Sequence, residues 1–456
     1  MTEFQLYALS GLGLYFLVMI IMGVVSARTE THDGFVIGSR NVGLLPTLAS
    51  ITTSFRDGSG AVFWVGAGLG AAYGGLWMFV GLITASVFFI LFGNRIRLIA
   101  KEHDFITIGE VIRHFIGKAT EKSASILILF FSLIAIAMQL YVSGNIFSEV
   151  IGFKSDYGII AVAAVVGIYM FFGGYSTVIK TDFLQFFIIL LLIIFPLTIQ
   201  PTKADLLDFS SFIDVDLEFG VGLFMLGCFY ILSGAETWQR IFSARNAAVV
   251  RWSFPLSVVF LLFMTLCLIW VGMGIKPMLE GTDPSQALFF LFSLTDQIPL
   301  WLLSSFAVVL MAITMSTLDS FCYLFTASLG KNILPSQTTN TREKYIRFAR
   351  IVIPAVLIIM IYVAMQINDV VQVLFNSVSL LYLLSPIYIL SATGILKKSR
   401  WIDWYTTICL GLCAIGYIYM FINGLTENLI LAGLPALSLF TLLLLAAGFQ
   451  RLSLKR

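Results

Sequence analysis

Residues Leu48 to Gly60 read LASITTSFRDGSG and interrupt an apolar segment that runs from Val42 to about Tyr73. Arg56 and Asp57 lie in the middle of that segment, where charged side chains are costly unless they face protein or water. The glycines beside them weaken continued helix formation. The stretch therefore predicts a broken membrane helix lining a cavity, and a polar break at mid-membrane depth is typical of an ion or ligand site.

The composition is that of a polytopic membrane protein. Of 456 residues, 59% are hydrophobic and 11% are charged, and the mean hydropathy is +0.97. The net charge of +2 gives no electrostatic reason to expect a nucleic-acid partner. We expect a lipid bilayer around the chain, no nucleic acid and no obligatory protein partner. The five cysteines lie in apolar runs and predict no disulfide framework.

Apolar runs long enough to cross about 30 Å of hydrocarbon occur thirteen times. Their approximate bounds are 4–27, 42–73, 75–94, 123–151, 157–179, 181–200, 219–239, 252–275, 299–327, 351–367, 370–395, 402–423 and 429–450. No soluble domain interrupts them, so residues 1–456 are predicted to form one integral membrane domain that is entirely α-helical.

An odd number of spans places the two termini on opposite sides of the membrane. With the N-terminus outside, 23 of the 27 basic residues fall on inner segments and Arg56 falls within a span. The three outer ones are Lys154, Lys203 and Lys276. The positive-inside rule then predicts a multi-pass cell-membrane protein with its N-terminus outside and its C-terminus in the cytoplasm.

A second interruption, SGAETW around Glu236, lies five crossings after the first. Units of five helices enter the membrane from opposite sides, which is the inverted-repeat plan. It predicts two units of five helices related by an axis in the membrane plane. Gly and Ser at the second interruption are also common in ordinary helix packing.

Two further segments carry polar groups inside the membrane. In ITMSTLDS, Ile313 to Ser320, the hydroxyls lie near one helical face, where they either bind a cation such as Na⁺ or bond back to their own helix. In FGGYSTVIKTDFLQ, Phe172 to Gln185, Gly173 and Gly174 permit a tight turn, and Asp182 follows near a helix N-terminus that it could simply cap.

These motifs resemble the sodium:solute symporter family, which contains sodium/proline, sodium/glucose and sodium/sialic acid transporters. GGYSTVIKTDFLQ is similar to that family's GG-x-x-A-V-x-x-T-D-x-x-Q segment, with Thr177 in place of the alanine. A-x-x-MST-L at Ala312 to Leu318, FVIGSRNVG from Phe35 and WQRIFSAR from Trp238 add to the likeness, which covers nearly the whole chain. The resemblance implies a leucine-transporter-like fold. It has a leading helix at 4–27, five plus five inverted helices in repeats at 42–200 and 219–395, and two trailing helices at 402–450.

The resemblance also implies a sodium site between the first and eighth core helices. Carried over residue by residue, its ligands are the backbone carbonyls of Ala49, Thr52 and Ile313 and the hydroxyls of Ser316 and Thr317. Asp182 and Ser320 are implied as part of a second sodium site or exit route. Asp319 stands where several relatives have an uncharged residue, and it either adds charge to the ion pathway or pairs with an inner lysine.

In such a fold the solute binds between the two broken helices. The residues at that position are Ser54, Arg56, Asp57, Gly234, Glu236 and Thr237, with Gln139 a neighbour. Arg56 is the unusual element, and two hypotheses remain open for it. Its guanidinium either holds a carboxylate of the solute or forms a structural ion pair with Glu236 or Asp57.

Other classes of protein fit less well. The three histidines fall in inner polar segments, and the sequence contains no HExxH, GxSxG or Walker motif, so neither a membrane enzyme nor an ATP-driven pump is predicted. We predict a sodium-coupled symporter that imports a small organic solute, with Na⁺ as coupling ion and no other cofactor. Proton coupling, a transport-like sensor and a channel are the alternatives.

Overall fold

A computed structural model describes residues 2–29, 31–199, 201–202, 206–279 and 284–453. Within those ranges the chain folds into α-helices joined by short turns. The first nine are α1 (Glu3–Thr29), α2 (His32–Ile37), α3 (Leu44–Phe55), α4 (Gly58–Leu69), α5 (Trp77–Glu102), α6 (Ile108–Phe115), α7 (Lys118–Ile151), α8 (Ser155–Leu190) and α9 (Ile194–Thr198). The next nine are α10 (Ser210–Ile213), α11 (Leu217–Ser233), α12 (Ala235–Ser243), α13 (Ala247–Ile275), α14 (Ala287–Phe290), α15 (Leu300–Ser328), α16 (Arg342–Ala364), α17 (Val370–Leu381) and α18 (Leu384–Thr393). The last two are α19 (Arg400–Ile422) and α20 (Leu429–Ser453).

In the described residues, each of the thirteen predicted spans has a helical counterpart. Ten helical segments are long and apolar enough to cross a membrane, and the bent pair of α11 and α12 makes eleven. The short apolar helices α3 and α4 together cover most of the span predicted at 42–73. The segment Ser155–Thr198, counted once among the ten, has a non-helical residue at Gly174 and supplies two of the predicted spans. Lys203, one of the three predicted outer lysines, lies outside the described residues.

The break in α8 folds the chain back on itself. Gly174 has φ 57° and ψ −146° inside the helix. Tyr169 and Thr181, on either side of it, both donate hydrogen bonds to Oδ2 of Asp319, at 2.8 and 3.3 Å. Twelve residues of straight helix would separate them by about 18 Å, so the chain must turn sharply between them. The predicted turn at Gly173 and Gly174 is confirmed, although the span boundary predicted near residue 180 lies several residues too late.

The two predicted helix interruptions are both present. α3 ends at Phe55 and α4 begins at Gly58, and α11 meets α12 at Gly234 with a bend of 47°. Backbone hydrogen bonds from Val42 N–H to the Ser243 carbonyl, 3.1 Å, and from Arg245 N–H to the Val42 carbonyl, 3.0 Å, join the approach to α3 with the end of α12. The two broken elements are therefore held together at one end.

α15 forms the centre of the bundle. In its most apolar window 78% of the residues are buried, against 28% in α1 and in α19. It contacts α1, α3, α7 and α8. The peripheral helices expose large apolar side chains, such as Leu91 at 67% and Ile358 at 68%, which is the surface expected of a protein that faces lipid. The ITMSTLDS segment of α15 thus lies at the centre of the helical bundle.

Candidate ion and solute site

The first break is fixed by hydrogen bonds to the exposed backbone. Asp57 caps α4, because its Oδ1 accepts from the backbone N–H of Gly60 at 2.7 Å and from the Ser59 hydroxyl. The N–H of Gly58 donates to Oε1 of Gln139 on α7 at 2.8 Å. A Cβ at Gly58 would overlap a methyl carbon of Thr314, so only glycine allows this approach to α15.

The second break lies beside the first and carries unpaired polar atoms. The rings of Phe55 and Tyr230, each next to a break, pack edge to face with centroids 5.3 Å apart. Beyond Gly234, Oε2 of Glu236 and Oγ1 of Thr237 are buried and have no hydrogen-bond partner among the described residues. Buried oxygens without partners are costly, so they indicate a place where a ligand or water supplies the missing contacts.

A small cavity opens on the α4 side of the first break. Its volume is about 50 Å³, and its lining is aromatic and aliphatic around one carboxylate. The lining residues are Phe55, Asp57, Gly60, Phe63, Trp64, Met78, Leu226, Tyr230, Leu374, Phe375 and Val378. Of the predicted solute-binding residues, Asp57 alone is among them. The cavity is therefore bordered by α3, α4, α5, α11 and α17.

Arg56 points away from this cavity. Its guanidinium donates to the hydroxyl of Thr265 and, at 3.4 Å, to the Leu261 carbonyl, both on α13, and the side chain is 2% exposed. Neither Asp57 nor Glu236 forms an ion pair with it within the described part of the chain. The predicted pairing of Arg56 with one of those carboxylates is wrong, because α13 rather than the breaks supplies its partners.

The hydroxyls of α3 and α15 converge on Asp182. Ser50 donates to Oδ2 of Asp182 at 2.5 Å, and Ser316 donates to Oδ1 at 2.6 Å. One turn further along, the hydroxyls of Ser54 and Ser320 lie 3.3 Å apart. Asp182 lies two helical turns beyond the Gly174 break and bonds to side chains of other helices. The alternative that it simply caps a helix is therefore wrong.

Arg240 on α12 lies in the same cluster, although the sequence pattern assigned it to an inner cationic segment. It is 1% exposed. Its Nη2 donates to Ser54 and Ser320, both at 2.7 Å, and lies 3.5 Å from Oδ2 of Asp182, while Nε donates to Ser50 at 3.0 Å. The sequence does contain a signal for this placement, because Arg240 lies four residues after Glu236, one helical turn beyond the second break.

The remaining predicted sodium ligands border this cluster. Ala49, Thr52 and Ile313 are fully buried, and Thr317 is 1% exposed. The Thr317 hydroxyl makes only a long hydrogen bond, 3.4 Å, to the Ile313 carbonyl. The Thr52 carbonyl accepts the backbone N–H of Arg56 at 3.1 Å, at the last turn of α3. All of these atoms are hard oxygens, the ligand type that alkali cations prefer.

Asp319 is a second buried carboxylate near the cluster. Its Oδ2 accepts hydrogen bonds from Tyr169 and Thr181, and its Oδ1 has no partner among the described residues. Pairing with an inner lysine, one of the two interpretations of this residue, is therefore wrong. The partners are hydroxyl groups on either side of the Gly174 break.

Two broken helices that meet at a buried polar cluster, within a bundle of membrane-length helices, define a multi-span membrane transporter. The model of the "Sodium:solute symporter family" matches residues 35–202. A sodium/proline symporter of Staphylococcus aureus strain bovine RF122 / ET3-1 is 25% identical over 402 residues, which are 79% of this chain and 75% of the relative. The resemblance drawn from the motifs is confirmed: the chain is similar to the sodium:solute symporters, which are transporters and not enzymes.

Solved structures confirm the fold. A Na⁺-coupled sialic acid symporter in a substrate-bound outward-open state superposes with a TM-score of 0.80 at 13% identity, covering 97% of this chain and 98% of the other. Mhp1, a nucleobase-cation-symport-1 family transporter in a closed conformation, gives 0.59 at 11% identity, with coverage of 91% and 94%. The all-helical fold of the leucine-transporter type, expected from the resemblance, is thereby confirmed.

Proposed function

We propose that the protein is a sodium-coupled symporter that imports a small organic solute by alternating access. The observation that carries this proposal is the convergence of hydroxyl oxygens from α3 and α15 beside a broken helix. Similar proteins support the proposal. The relatives are named sodium/proline symporters, and a solved structure of the same fold is that of a Na⁺-coupled sialic acid symporter.

In this proposal Na⁺ binds where α3 and α15 meet. Ser316 donates its hydrogen to Asp182 at 2.6 Å, so the oxygen lone pairs remain available to a cation. The Thr317 hydroxyl and the carbonyls of Ala49, Thr52 and Ile313 complete the ligand set. A cation held by both helices stabilises the conformation in which they lie close together, and binding thereby shifts the population of states.

We also propose a second sodium ion at Asp182 and Ser320, whose binding depends on the position of Arg240. Arg240 already places positive charge against both residues, since its Nη2 lies 3.5 Å from Oδ2 of Asp182 and 2.7 Å from the Ser320 hydroxyl. A metal ion at these oxygens competes with the guanidinium for the same negative charge. Occupation of this second site therefore requires Arg240 to turn aside.

The solute is proposed to bind at the cavity bordered by Asp57. Arg56 was the candidate for holding a solute carboxylate, but its guanidinium lies against α13 and is absent from the cavity lining. The geometry gives that hypothesis no support. Gly234, Glu236 and Thr237 at the second break and Gln139 at the first remain candidates for forming or shaping the site.

We infer two inverted repeats at 42–200 and 219–395, a leading helix, two trailing helices and a cell-membrane location with the C-terminus inside. The excess of basic residues on the segments assigned to the inner side supports this orientation.

Sodium binding is tested by replacing the hydroxyls of Ser316 and Thr317 with Ser316→Ala and Thr317→Ala. Each change removes one oxygen ligand, so we expect the affinity for Na⁺ to fall by about tenfold or more, equivalent to about 1.4 kcal/mol. The measurement is the rise in thermal unfolding midpoint of the purified protein with increasing NaCl at constant ionic strength, which reports binding to the folded state.

The matched control is Ser305→Ala on the same helix, because Ser305 is only partly buried and donates only to the Trp301 carbonyl of its own helix at 2.7 Å. It should keep the wild-type response to sodium. Uptake of a radiolabelled solute into proteoliposomes with a sodium gradient or a pH gradient then separates the two coupling ions. Unchanged sodium stabilisation in both alanine variants would refute the site.

A further inference from the structure

We propose that the solute carries an ammonium group, which Asp57 and the aromatic rings around it recognise. This inference rests on the proposed function, since it names the chemical class of the solute that the symporter takes. It differs from the sequence-based hypothesis, in which Arg56 selects a carboxylate.

The charge of the cavity supports a cation. Asp57 is the one charged residue among those that line it, and it is 6% exposed. Its Oδ1 accepts the cap hydrogen bonds of α4, whereas Oδ2 has no hydrogen-bond partner among the described residues. Because Asp57 lines the cavity, Oδ2 can accept a hydrogen bond from a solute, and a cationic group placed against it gains a charge-assisted contact.

Neither Arg56 nor Arg240 forms an ion pair with Asp57 within the described part of the chain. Arg56 is directed to Thr265 and Leu261 on α13, and Arg240 is directed to Asp182 and the serines around it. A second carboxylate, Glu236, lies at the neighbouring break with its Oε2 unpaired within the described ranges. The region between the breaks therefore holds two carboxylates that have no ion-pair partner among the described residues, which favours a positively charged solute over an anionic one.

The rings of the cavity supply the other half of an ammonium site. Five of the lining residues are aromatic: Phe55, Phe63, Trp64, Tyr230 and Phe375. Phe63 is packed edge to face against both Trp64, 4.9 Å away, and Phe375, 5.2 Å away. Ring faces attract cations, and the effect is largest where water is excluded. The lining offers few hydrogen-bonding groups to a polyhydroxylated or anionic solute.

The cavity is small in this conformation. Its volume of about 50 Å³ is well below the roughly 300–1,000 Å³ typical of small-molecule sites. An ammonium compound therefore binds only when α4, α11 and α17, which provide most of the rings, move apart. That requirement agrees with a solute site that closes during alternating access.

The experiment measures thermal stabilisation of the purified full chain in NaCl or KCl by four probes of stated charge. Choline, ethanolamine and proline carry an ammonium group, and pivalate carries only a carboxylate. We expect at least one ammonium probe to stabilise the protein in sodium and pivalate to have no effect. Asp57→Asn keeps a side chain that caps a helix and should weaken that probe by about tenfold to hundredfold, the loss expected for a contact to a charged group.

The matched control is Asp216→Asn, since Asp216 also caps a helix, accepting the Phe219 N–H at 3.0 Å, but is exposed and outside this cavity. It should bind the ammonium probe as the wild type does. A second variant, Phe375→Leu, should weaken the same probe several-fold, so the proposal is testable even if Asp57→Asn is poorly folded. Stabilisation by pivalate, no response to any ammonium probe, or equal binding by Asp57→Asn would overturn the proposal.

The thermal response to sodium without a solute probe distinguishes a failure of this proposal from a failure of the function on which it rests. If NaCl does not stabilise the wild type more than KCl does, the symport proposal fails. If NaCl stabilises wild type and Asp57→Asn equally but no ammonium probe binds, only the assignment of the solute class fails. Loss of the sodium response in Asp57→Asn would assign Asp57 to the ion and would likewise overturn the solute assignment.

Discussion

At the scale of single residues, the decisive feature is a buried guanidinium that lies against a buried carboxylate. Arg240 is 1% and Asp182 is 0% exposed, so neither charge is stabilised by water. Three serine hydroxyls and the Glu236 carbonyl, at 2.7 to 3.1 Å, satisfy the guanidinium instead. Such a network holds α3, α8, α12 and α15 together only while both charges are present, because a single buried charge is costly.

Arg240→Gln should destabilise the protein, by about 3–5 kcal/mol if the buried carboxylate remains ionised. Adding Asp182→Asn to that variant removes the unpaired charge and should recover part of the loss. Thermal unfolding of the single and double variants measures both effects. Arg245→Gln, which changes an exposed arginine nearby, should leave the unfolding midpoint unchanged. If the double variant is as unstable as the sum of the single changes, the two groups do not interact.

At the scale of elements, the site is built by interruptions of helices. Asp57 caps α4 and Gln139 binds the Gly58 N–H, so the polar backbone groups that the first break frees are satisfied by defined partners. Gly174 lets α8 fold back, and this brings Tyr169 and Thr181 to the same oxygen of Asp319. Each break thus interrupts a helix and places a polar side chain where the helix would otherwise have continued.

Gly174→Ala should be strongly destabilising for two independent reasons. The residue has φ 57°, which L-residues rarely adopt and which costs about 1–3 kcal/mol. In addition, a Cβ there would lie 2.6 Å from the ring of Phe35. The yield of folded protein in size-exclusion chromatography and its unfolding midpoint measure the effect.

Gly448→Ala provides the comparison for that experiment, because no atom lies within 4 Å of the position that an alanine methyl group would take there on α20, and the backbone is helical. It should be neutral or slightly stabilising, since alanine favours helix more than glycine does. Equal behaviour of the two alanine variants would mean that the turn at Gly174 tolerates a side chain.

At the scale of the whole molecule, charged groups join the first and second halves of the chain outside the spans. Asp104, between α5 and α6, accepts from Arg40 at 2.9 Å and from Arg342, at the start of α16, at 2.6 Å. Arg342 also donates to Asp33 on α2 at 2.9 Å. Burial raises the pKa of Asp104, but the hydrogen bonds and charges of Arg40 and Arg342 outweigh that effect and lower the pKa below its ordinary value of 3.8.

This ion-pair group should make stability depend on pH in the acid range. Because the pKa of Asp104 is lower in the folded protein, its contribution is complete well above pH 3.8 and is lost as the pH falls through the folded pKa. Asp104→Asn should lower stability at pH 7 by about 1 kcal/mol or less, since the carboxylate is 62% exposed and solvent screens it. The difference from wild type should shrink below pH 3.8.

Thermal unfolding between pH 3 and pH 8 checks this expectation. Asp296→Asn is the control, because Asp296 is exposed and its side chain makes no hydrogen bond in the described part of the chain. A difference between Asp104→Asn and wild type that stays constant over the whole pH range would show that the effect is not electrostatic.

The sequence by itself determined the helical class, a helical counterpart for each predicted span and the position of both breaks. These follow from local chemistry, because apolar runs must hydrogen-bond internally in lipid and polar residues with glycine interrupt them. It also identified Asp57, Asp182 and the α15 hydroxyls as functional candidates, since polar groups inside a span require partners.

Only the tertiary structure decided which partners those groups have. Residue pattern alone places Arg240 among the cytoplasmic anchors, yet the bend at Gly234 carries it to Asp182. Arg56 and Asp57 are adjacent in sequence, but the end of α3 directs one toward α13 and the other toward the cavity. The physical reason is that the direction of a side chain at a broken helix depends on local backbone angles and on packing by distant helices, which residue spacing does not encode.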